Sequence, residues 1–391
     1  MKIGLCYETV LPARGGCEHY IGDLARRLAK DHHEVHLFAC RWEAASLPPG
    51  TIYHQIPTVR GPRFLRPYRF AKRVLQALHD QPVDVSIGFD KTWGQSILYP
   101  QGGLHSASRR QNLLKYPSAG KRLIARLLRV FDPTSYTFRW IEKKQYLSAP
   151  RPLVIVNSKM VQRHFQEILG FPADAVRVIY SSIDPERFHC EEREQVRQRV
   201  RQQLNIPPTA PVGLFVGMNY RLKGLQQLLN AVKEVPESLG YHQLVIGGSK
   251  FQGYQEQATK LGIAHRVHFL GFQTDPKDYF FASDFLTHPT FYDPCSLVAL
   301  EALGCGLPVI TTQYNGASEF IQPGKNGTVI ADPHDAATLG QAIADFCQPT
   351  LLPKRKQAAE ESARGWTFEN HYQQILEVIE QAARQGVEQM T

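Results

Sequence analysis

Short apolar strands alternate with amphipathic helices along this chain, and the alternation begins a second time near residue 211. In the first half, "KIGLC" (2–6), "EVHLFAC" (34–40), "VDVSIGF" (83–89), "LVIVN" (153–157) and "VRVIY" (176–180) are bounded by turn signals. Between the first two, "CEHYIGDLARRLAKDHH" sets Tyr20, Ile21, Leu24 and Leu28 on one helical face. The second half repeats the scheme with "PVGLFVG", "HQLVIGG", "VHFLG", "FLTHP", "LPVITT" and "GTVIA" as strands. Its helices are "LKGLQQLLNAVKEV", "YQEQATKLG" and "HDAATLGQAIADFC". Such an order predicts α/β architecture, with parallel sheets covered by helices on both faces. At 391 residues the chain exceeds one ordinary core. The expectation is two doubly wound, Rossmann-like domains, 1–180 and 181–367, joined at "SSIDPERF" (181–188). A last helix, from Phe368 to about Arg384, is long enough to pack back on the first half. Ligands of open α/β sheets sit outside the carboxyl ends of the strands. Two such sheets facing each other leave a cleft, so the informative residues are those just after strands.

Apolar content of 43% and charged content of 21% fit a soluble globular protein. The opening "MKIGLCYETV" has one Lys and no long apolar core, which predicts no signal peptide. No run of about 18 apolar residues exists to span a bilayer. Seven Cys, at 6, 17, 40, 190, 295, 305 and 347, include no CxxC. Their odd number and scatter predict a reducing, cytoplasmic setting and neither a disulfide framework nor a zinc site.

The net charge of +9 is concentrated. From Arg60 to Arg151 there are 18 Lys or Arg against 5 Asp or Glu. This zone predicts an anionic partner. Within it, "SAGKRLIARLLRVFD" (118–132) gathers Leu123, Ile124, Leu127, Leu128 and Phe131 on one side. Lys121, Arg122, Arg126 and Arg129 occupy the rest. The segment fits two roles: an interfacial membrane helix, or a core-facing helix with a solvated basic face. "RGPRFLRPYRFAKR" (60–73) adds Arg and aromatic residues. No nucleic-acid module is recognisable, so the favoured partner is an anionic lipid surface and not nucleic acid.

"YDPCSLVALEALGCGLPVI" (292–310) places Asp293 eight residues before Glu301, with a helix start between them. Ser296 is the cap, leaving the amides of Ser296, Leu297 and Val298 to bind a phosphate. Two hydrogen-bonding acids around an anion-binding helix suit a sugar joined to a nucleotide by diphosphate. Taken alone, the spacing better suits an acid placed early in a helix to satisfy its dipole. Lys223 follows the strand "GLFVG" and puts a cation where a leaving diphosphate would need one. "LPARGGCEHY" is a glycine-rich turn between strand and helix, but not GxGxxG. Gly15 and Gly16 would let backbone approach a ligand closely, or simply make a tight turn, and Glu18 suits the first turn of the helix. "YPQGGLHSAS" carries His105 behind a Gly pair, and "GFDKTWG" carries Asp90 after a strand.

The stretch "DPCSLVALEALGCGLPVITT" resembles the E-x7-E region of glycosyltransferase family 4, of the GT-B fold. Asp293 stands where that family usually has Glu, and Ser296 where it usually has Gly. "VGMNYRLKGLQQLL" resembles the family's V-G-R…K-G segment. Lys223 matches its phosphate-binding Lys, and Met218 replaces the usual Arg, which leaves Arg221 to substitute from a shifted position. "NSKMVQRHFQEILG", "VIYSSIDPERF" and "NGASEFIQPGKNGTVI" fit in the right order, and "RGGCEHY" resembles the G-G-x-E loop. The resemblance implies a retaining hexosyltransferase that uses a nucleotide-sugar, with UDP-glucose foremost. The implied acceptor is a lipopolysaccharide-core or other lipid-linked glycan at the cytoplasmic membrane face. Asp293 and His105 would orient the sugar, and Glu301 would hold the ribose. Lys223, Arg221 and the amides of 296–298 would hold the diphosphate, Gly15 and Gly16 would approach it, and Asp90 would face the acceptor. No DxD stands at an expected cleft position, so neither metal nor cofactor is expected. Two other readings share features. An NAD(P)-dependent oxidoreductase has the same winding but needs the missing glycine fingerprint. A non-catalytic membrane or nucleic-acid binding protein accounts for the charge but not for Lys223 with D-x7-E.

Overall fold

The computed structural model describes residues 1–11, 15–58, 61–183 and 191–390. Arg14, Arg60 and positions 184–188 of the expected join lie outside the described residues, as does the Phe131 side chain. In chain order the first strands and helices are β1 (Lys2–Cys6), β2 (Thr9–Val10), α1 (Gly16–Lys30), β3 (Glu34–Ala39), β4 (Arg41–Trp42), β5 (Ile52–Gln55), α2 (Arg66–Asp80), β6 (Val85–Phe89) and β7 (Ile97–Tyr99). There follow α3 (His105–Gln111), α4 (Ala119–Leu128), α5 (Pro133–Leu147), β8 (Leu153–Val156), α6 (Lys159–Leu169), β9 (Val176–Val178) and α7 (Arg193–Gln203). The second round runs β10 (Val212–Gly217), α8 (Leu225–Glu234), β11 (His242–Gly247), α9 (Gln252–Lys260), β12 (Val267–Gly271), α10 (Lys277–Ala282), β13 (Phe285–His288) and α11 (Leu297–Gly304). The chain ends with β14 (Val309–Thr312), β15 (Gly327–Ile330), α12 (Ala336–Phe346), α13 (Leu352–Ala363) and α14 (Phe368–Met390).

The chain forms two compact units. One holds Met1–Leu113, Ser118–Tyr180 and Glu369–Thr391; the other holds Leu114–Pro117 and Ser181–Phe368. The first is built on a sheet of order β5-β3-β1-β6-β7-β8-β9, the second on a sheet of order β12-β11-β10-β13-β14-β15. Strand pairs in both are parallel. Central strands buried on both faces read as unbroken apolar runs, as "VGLFV" and "VSIGF" do. In each sheet the order reverses beside its first strand, at β1/β6 and at β10/β13. The crevice outside the strand ends at such a reversal is where doubly wound sheets bind ligands.

Helix α14 packs within the first unit. Arg27 of α1 donates from Nε and Nη2 to the two Glu369 carboxylate oxygens, both at 2.9 Å. The buried His371 ring lies 2.9 Å from the Tyr20 hydroxyl and 2.7 Å from the Tyr180 carbonyl oxygen. The helix runs to Met390, beyond the expected end near Arg384.

Helix α4 (Ala119–Leu128) bears on the core-facing role considered for 118–132. Leu123, Ile124, Leu127, Leu128 and the following Val130 are each more than half exposed, so the apolar face does not enter the core. The core-facing reading is therefore set aside. Ser118 accepts the Lys121 N–H at 3.3 Å and fixes the helix start.

Candidate active site

In the second unit, loops leave the carboxyl ends of β10 and β13 side by side. Gly224, which caps α8, has φ +81°, and a Cβ there would stand 2.0 Å from the Pro289 carbonyl oxygen. Only glycine permits that approach. The loops are then stitched together. The Phe291 N–H donates to the Leu222 carbonyl (2.9 Å), and so does the Thr290 hydroxyl (3.2 Å). On the far side the Asp293 N–H donates to the Tyr314 carbonyl (2.9 Å), and the Asp293 carbonyl accepts the Gly316 N–H (2.8 Å). This clamp brings the Lys223 ammonium and the Asp293 carboxylate into an ion pair, both side chains largely buried.

His288 closes the site from beneath. It is the last residue of β13, is 1% exposed, and places Nε2 3.6 Å from the Asp293 carboxylate. Burial alone would raise the Asp293 carboxyl, but Lys223 and His288 outweigh it and hold it below the usual carboxylate range. Burial, with Lys223 nearby, lowers His288, against the pull of Asp293. Asp293 is thus a carboxylate and His288 a neutral imidazole near neutral pH.

Helix α11 starts beside this pair with Ser296 as its cap residue. The expectation that the Ser296 amide is free is corrected: it donates to Asn315 Oδ1 at 3.1 Å. Asn315 also takes the Ala317 N–H (3.0 Å), so it braces the turn after β14 against the helix start. The amides of Leu297 and Val298, first in the helix, precede the positions that find intrahelical acceptors. Leu300 and Leu303 are fully buried, and Leu297 is half-buried. Glu301 is half-buried on the second turn of α11. Arg221 is set against the Tyr116 ring, its guanidinium carbon 4.6 Å from the centroid.

In the first unit, two adjoining cavities of about 350 and 250 Å³ open at the carboxyl ends of β1, β6 and β7. They share Tyr7, Asp90 and Lys91. His105, Gly102 and Gly103 line the larger one, together with Glu142 and Gln145 of α5. Asp90 has φ +63° and pairs with Lys91 at 2.7 Å, and Gln145 donates to its carbonyl oxygen. His105 packs edge-on against Phe138, 4.6 Å between centroids. Burial first, then Lys91 and Arg109, push its imidazole down to about 4, so it is neutral at physiological pH. Gly15 caps α1 and Gly16 begins it; a Cβ on Gly15 would meet the Glu18 carboxylate at 3.1 Å.

Of the residues singled out from sequence, the structure joins Lys223 with Asp293 in one unit and His105 with Asp90 in the other. His288, Asn315, Lys91 and Glu142 were missed as site residues. His288 and Asn315 stand inside the quoted stretches "FLTHP" and "NGASEF", but no spacing rule marks them.

Two family profiles match the chain: Glycosyltransferase Family 4 over residues 14–187 and Glycosyl transferases group 1 over residues 196–366. The lipopolysaccharide glucosyltransferase WaaG of Escherichia coli (strain K12) is 25% identical over 351 residues, 88% of each chain. The crystal structure of a WaaG superposes with TM-score 0.81 at 22% identity, over 96% of this chain and 99% of that one. The D-inositol 3-phosphate glycosyltransferase 2 of Catenulispora acidiphila is 27% identical over 396 residues, 90% of this chain and 87% of its own. Anabaena HepE, solved in complex with UDP-glucose, superposes with TM-score 0.72 at 19% identity, over 97% of this chain and 100% of that one.

Proposed function

This chain is a family 4 glycosyltransferase of the GT-B fold, and from that premise we propose a retaining, metal-independent transfer of a hexose from a UDP-sugar to a lipid-linked glycan. Glucose is the proposed sugar and a lipopolysaccharide-core glycan the proposed acceptor, at the cytoplasmic face of a membrane. The name of the E. coli relative and the ligand of HepE support that choice. The observation that carries the reading is the Lys223–Asp293 pair at the β10/β13 reversal.

In this reading the pair opens when donor binds. Lys223 moves from the carboxylate to the diphosphate, and Asp293 turns to the sugar hydroxyls. Arg221 and the N–H groups of Leu297 and Val298 add positive charge to the same diphosphate. These groups supply the charge a metal ion provides in other transferases, which supports metal independence. Glu301 accepts from the ribose. The donor's anomeric C–O bond breaks as the acceptor oxygen attacks from the same face. The acceptor proton passes to the departing phosphate oxygen, so no strong protein base is needed. In the first unit, Gly15 and Gly16 admit the diphosphate and sugar closely, neutral His105 stands against both the sugar and the acceptor, and Asp90 meets the acceptor.

A thermal-shift series with UDP-, GDP- and ADP-sugars tests this. UDP-glucose at about 100 times its Kd adds about 2.7 kcal/mol of stability and raises Tm; NADH leaves it unchanged. Glu301→Ala raises donor KM by about 10- to 100-fold, since a hydrogen bond to a carboxylate contributes about 1.5–3 kcal/mol. Stabilisation by NADH and by no sugar nucleotide would remove the reading.

The exposed face of α4, with Lys121, Arg122 and Arg126 around it, supports docking on anionic lipid. The double variant Ile124→Glu, Leu128→Glu changes exposed positions only and keeps the fold. It binds phosphatidylglycerol vesicles at least tenfold more weakly in co-sedimentation, and equal binding would place the membrane contact elsewhere.

A further inference from the structure

We infer that the paired cavities of the first unit take two successive uncharged, hydroxyl-bearing rings of a glycan and turn away a phosphorylated polyol. This rests on the acceptor reading above and deepens it.

The place is set by topology. Tyr7, Glu8 and Thr9 follow β1, and Asp90 and Lys91 follow β6, on either side of the point where the strand order reverses. The smaller cavity lies there, with Glu18 from the first turn of α1. The larger one continues from the same Tyr7, Asp90 and Lys91 to His105 and Glu142. Two chambers in series with a shared wall suit two linked rings better than one small polyol.

The charge is set by the lining. Glu8, Glu18, Asp90 and Glu142 contribute four carboxyl groups. Lys91 is the one Lys or Arg among the described residues that line the cavities, and its ammonium is bound to Asp90 at 2.7 Å. Arg109, close to His105 in sequence, donates instead to the Arg129 carbonyl at 3.0 Å. Glu142 is 5% exposed and accepts the Ser106 N–H at 3.2 Å. The buried Nε2 of His105 has no partner among the described residues and is a ready contact for a hydroxyl. Carboxylates and a neutral imidazole satisfy hydroxyl groups, while Tyr7, Phe70 and Phe138 cover the apolar faces of a ring. A phosphate monoester carries about −1.5 to −2 near neutral pH and meets like charge on most sides here. A relative named for inositol 3-phosphate must solve the opposite problem.

The test measures transfer from UDP-glucose to octyl glucoside and octyl maltoside against glucose 6-phosphate and D-inositol 3-phosphate. The neutral glycosides are expected to be used with at least tenfold higher kcat/KM, and the maltoside better than the glucoside. The double variant Glu8→Gln, Glu18→Gln narrows the neutral-to-phosphate ratio at least threefold. Equal or reversed preference overturns the inference. So does failure of both glycosides as acceptors while UDP-glucose still binds. If UDP-glucose itself does not bind, the donor reading beneath is what fails.

Discussion

Lys223→Ala lowers kcat by about 10²- to 10³-fold, the usual loss when one preorganised positive group is removed from a developing anion. On the proposed mechanism donor KM changes far less, because Arg221 and the α11 amides would still hold the ground-state diphosphate. The effect does not come from unfolding. Lys223 sits on a loop whose path is fixed by backbone, through Gly224 against Pro289 and Leu222 against Phe291. Asp293→Asn removes the partner carboxylate and weakens the hold on the sugar hydroxyls. Since the two side chains act as a unit, the double variant is no slower than the slower single one. Steady-state kinetics on the three variants decides this. Near-wild-type kcat in Lys223→Ala would take the leaving-group role away from it.

Asp284→Ala destabilises the second unit by about 3–5 kcal/mol, the cost of breaking a buried ionic cluster on one side. Asp284 is buried at the foot of β13. Its carboxylate accepts from Arg197 (2.7 Å), Arg201 (2.9 Å), Lys356 (2.8 Å) and the Val212 N–H (2.9 Å). Arg201 is itself buried and donates to the carbonyls of Ala282, Pro208 and Ala210. Removing the acid therefore leaves three cations facing one another around α7, β10 and α13. Burial raises the Asp284 carboxyl, but Lys356, Arg197 and Arg201 outweigh it and hold it at about 2, against an ordinary 3.8. A folded-state value below the unfolded one gives stability that is complete above about pH 4. It is lost as pH falls toward 2, by about 2 kcal/mol. Asp284→Asn removes that acid-induced loss. Urea unfolding from pH 5 to pH 2, read on the transition of the second unit, measures both effects. An unchanged acid slope in the Asn variant would show that other carboxylates govern it.

The winding of the chain was legible because buried parallel strands are apolar throughout, as in "VGLFV" and "VITT", and stand out against polar helices. Strand β7, three residues long, and β5, four residues largely exposed at the sheet edge, carry too little pattern to be seen. Helix α2 was hidden in "RPYRFAKRVLQALHD", where Arg and aromatic residues drew attention to charge over period. Lys223 and Asp293 were legible through motif and position after strands. His288 was not, because its relevance lies in a distance from its ring to a carboxylate five residues on. The loss of the Ser296 amide was also hidden, since its acceptor, Asn315, is nineteen residues away. Local sequence suggests which polar groups are available, but only the tertiary fold says which are already taken.

The return of α14 makes the first unit discontinuous in the chain, which passes out of it at Tyr180 and back at Glu369. A single proteolytic cut between Tyr180 and Ser181 therefore leaves the units tethered by the remaining crossings, at Glu369 and around Leu114–Pro117. A fragment ending at Tyr180 would leave Arg27 only Asp31 as an acidic partner, without Glu369, and would strip Tyr20 of the His371 ring. Separating the lobes for study requires residues 369–390 to travel with the amino-terminal piece, as a fused or co-expressed segment.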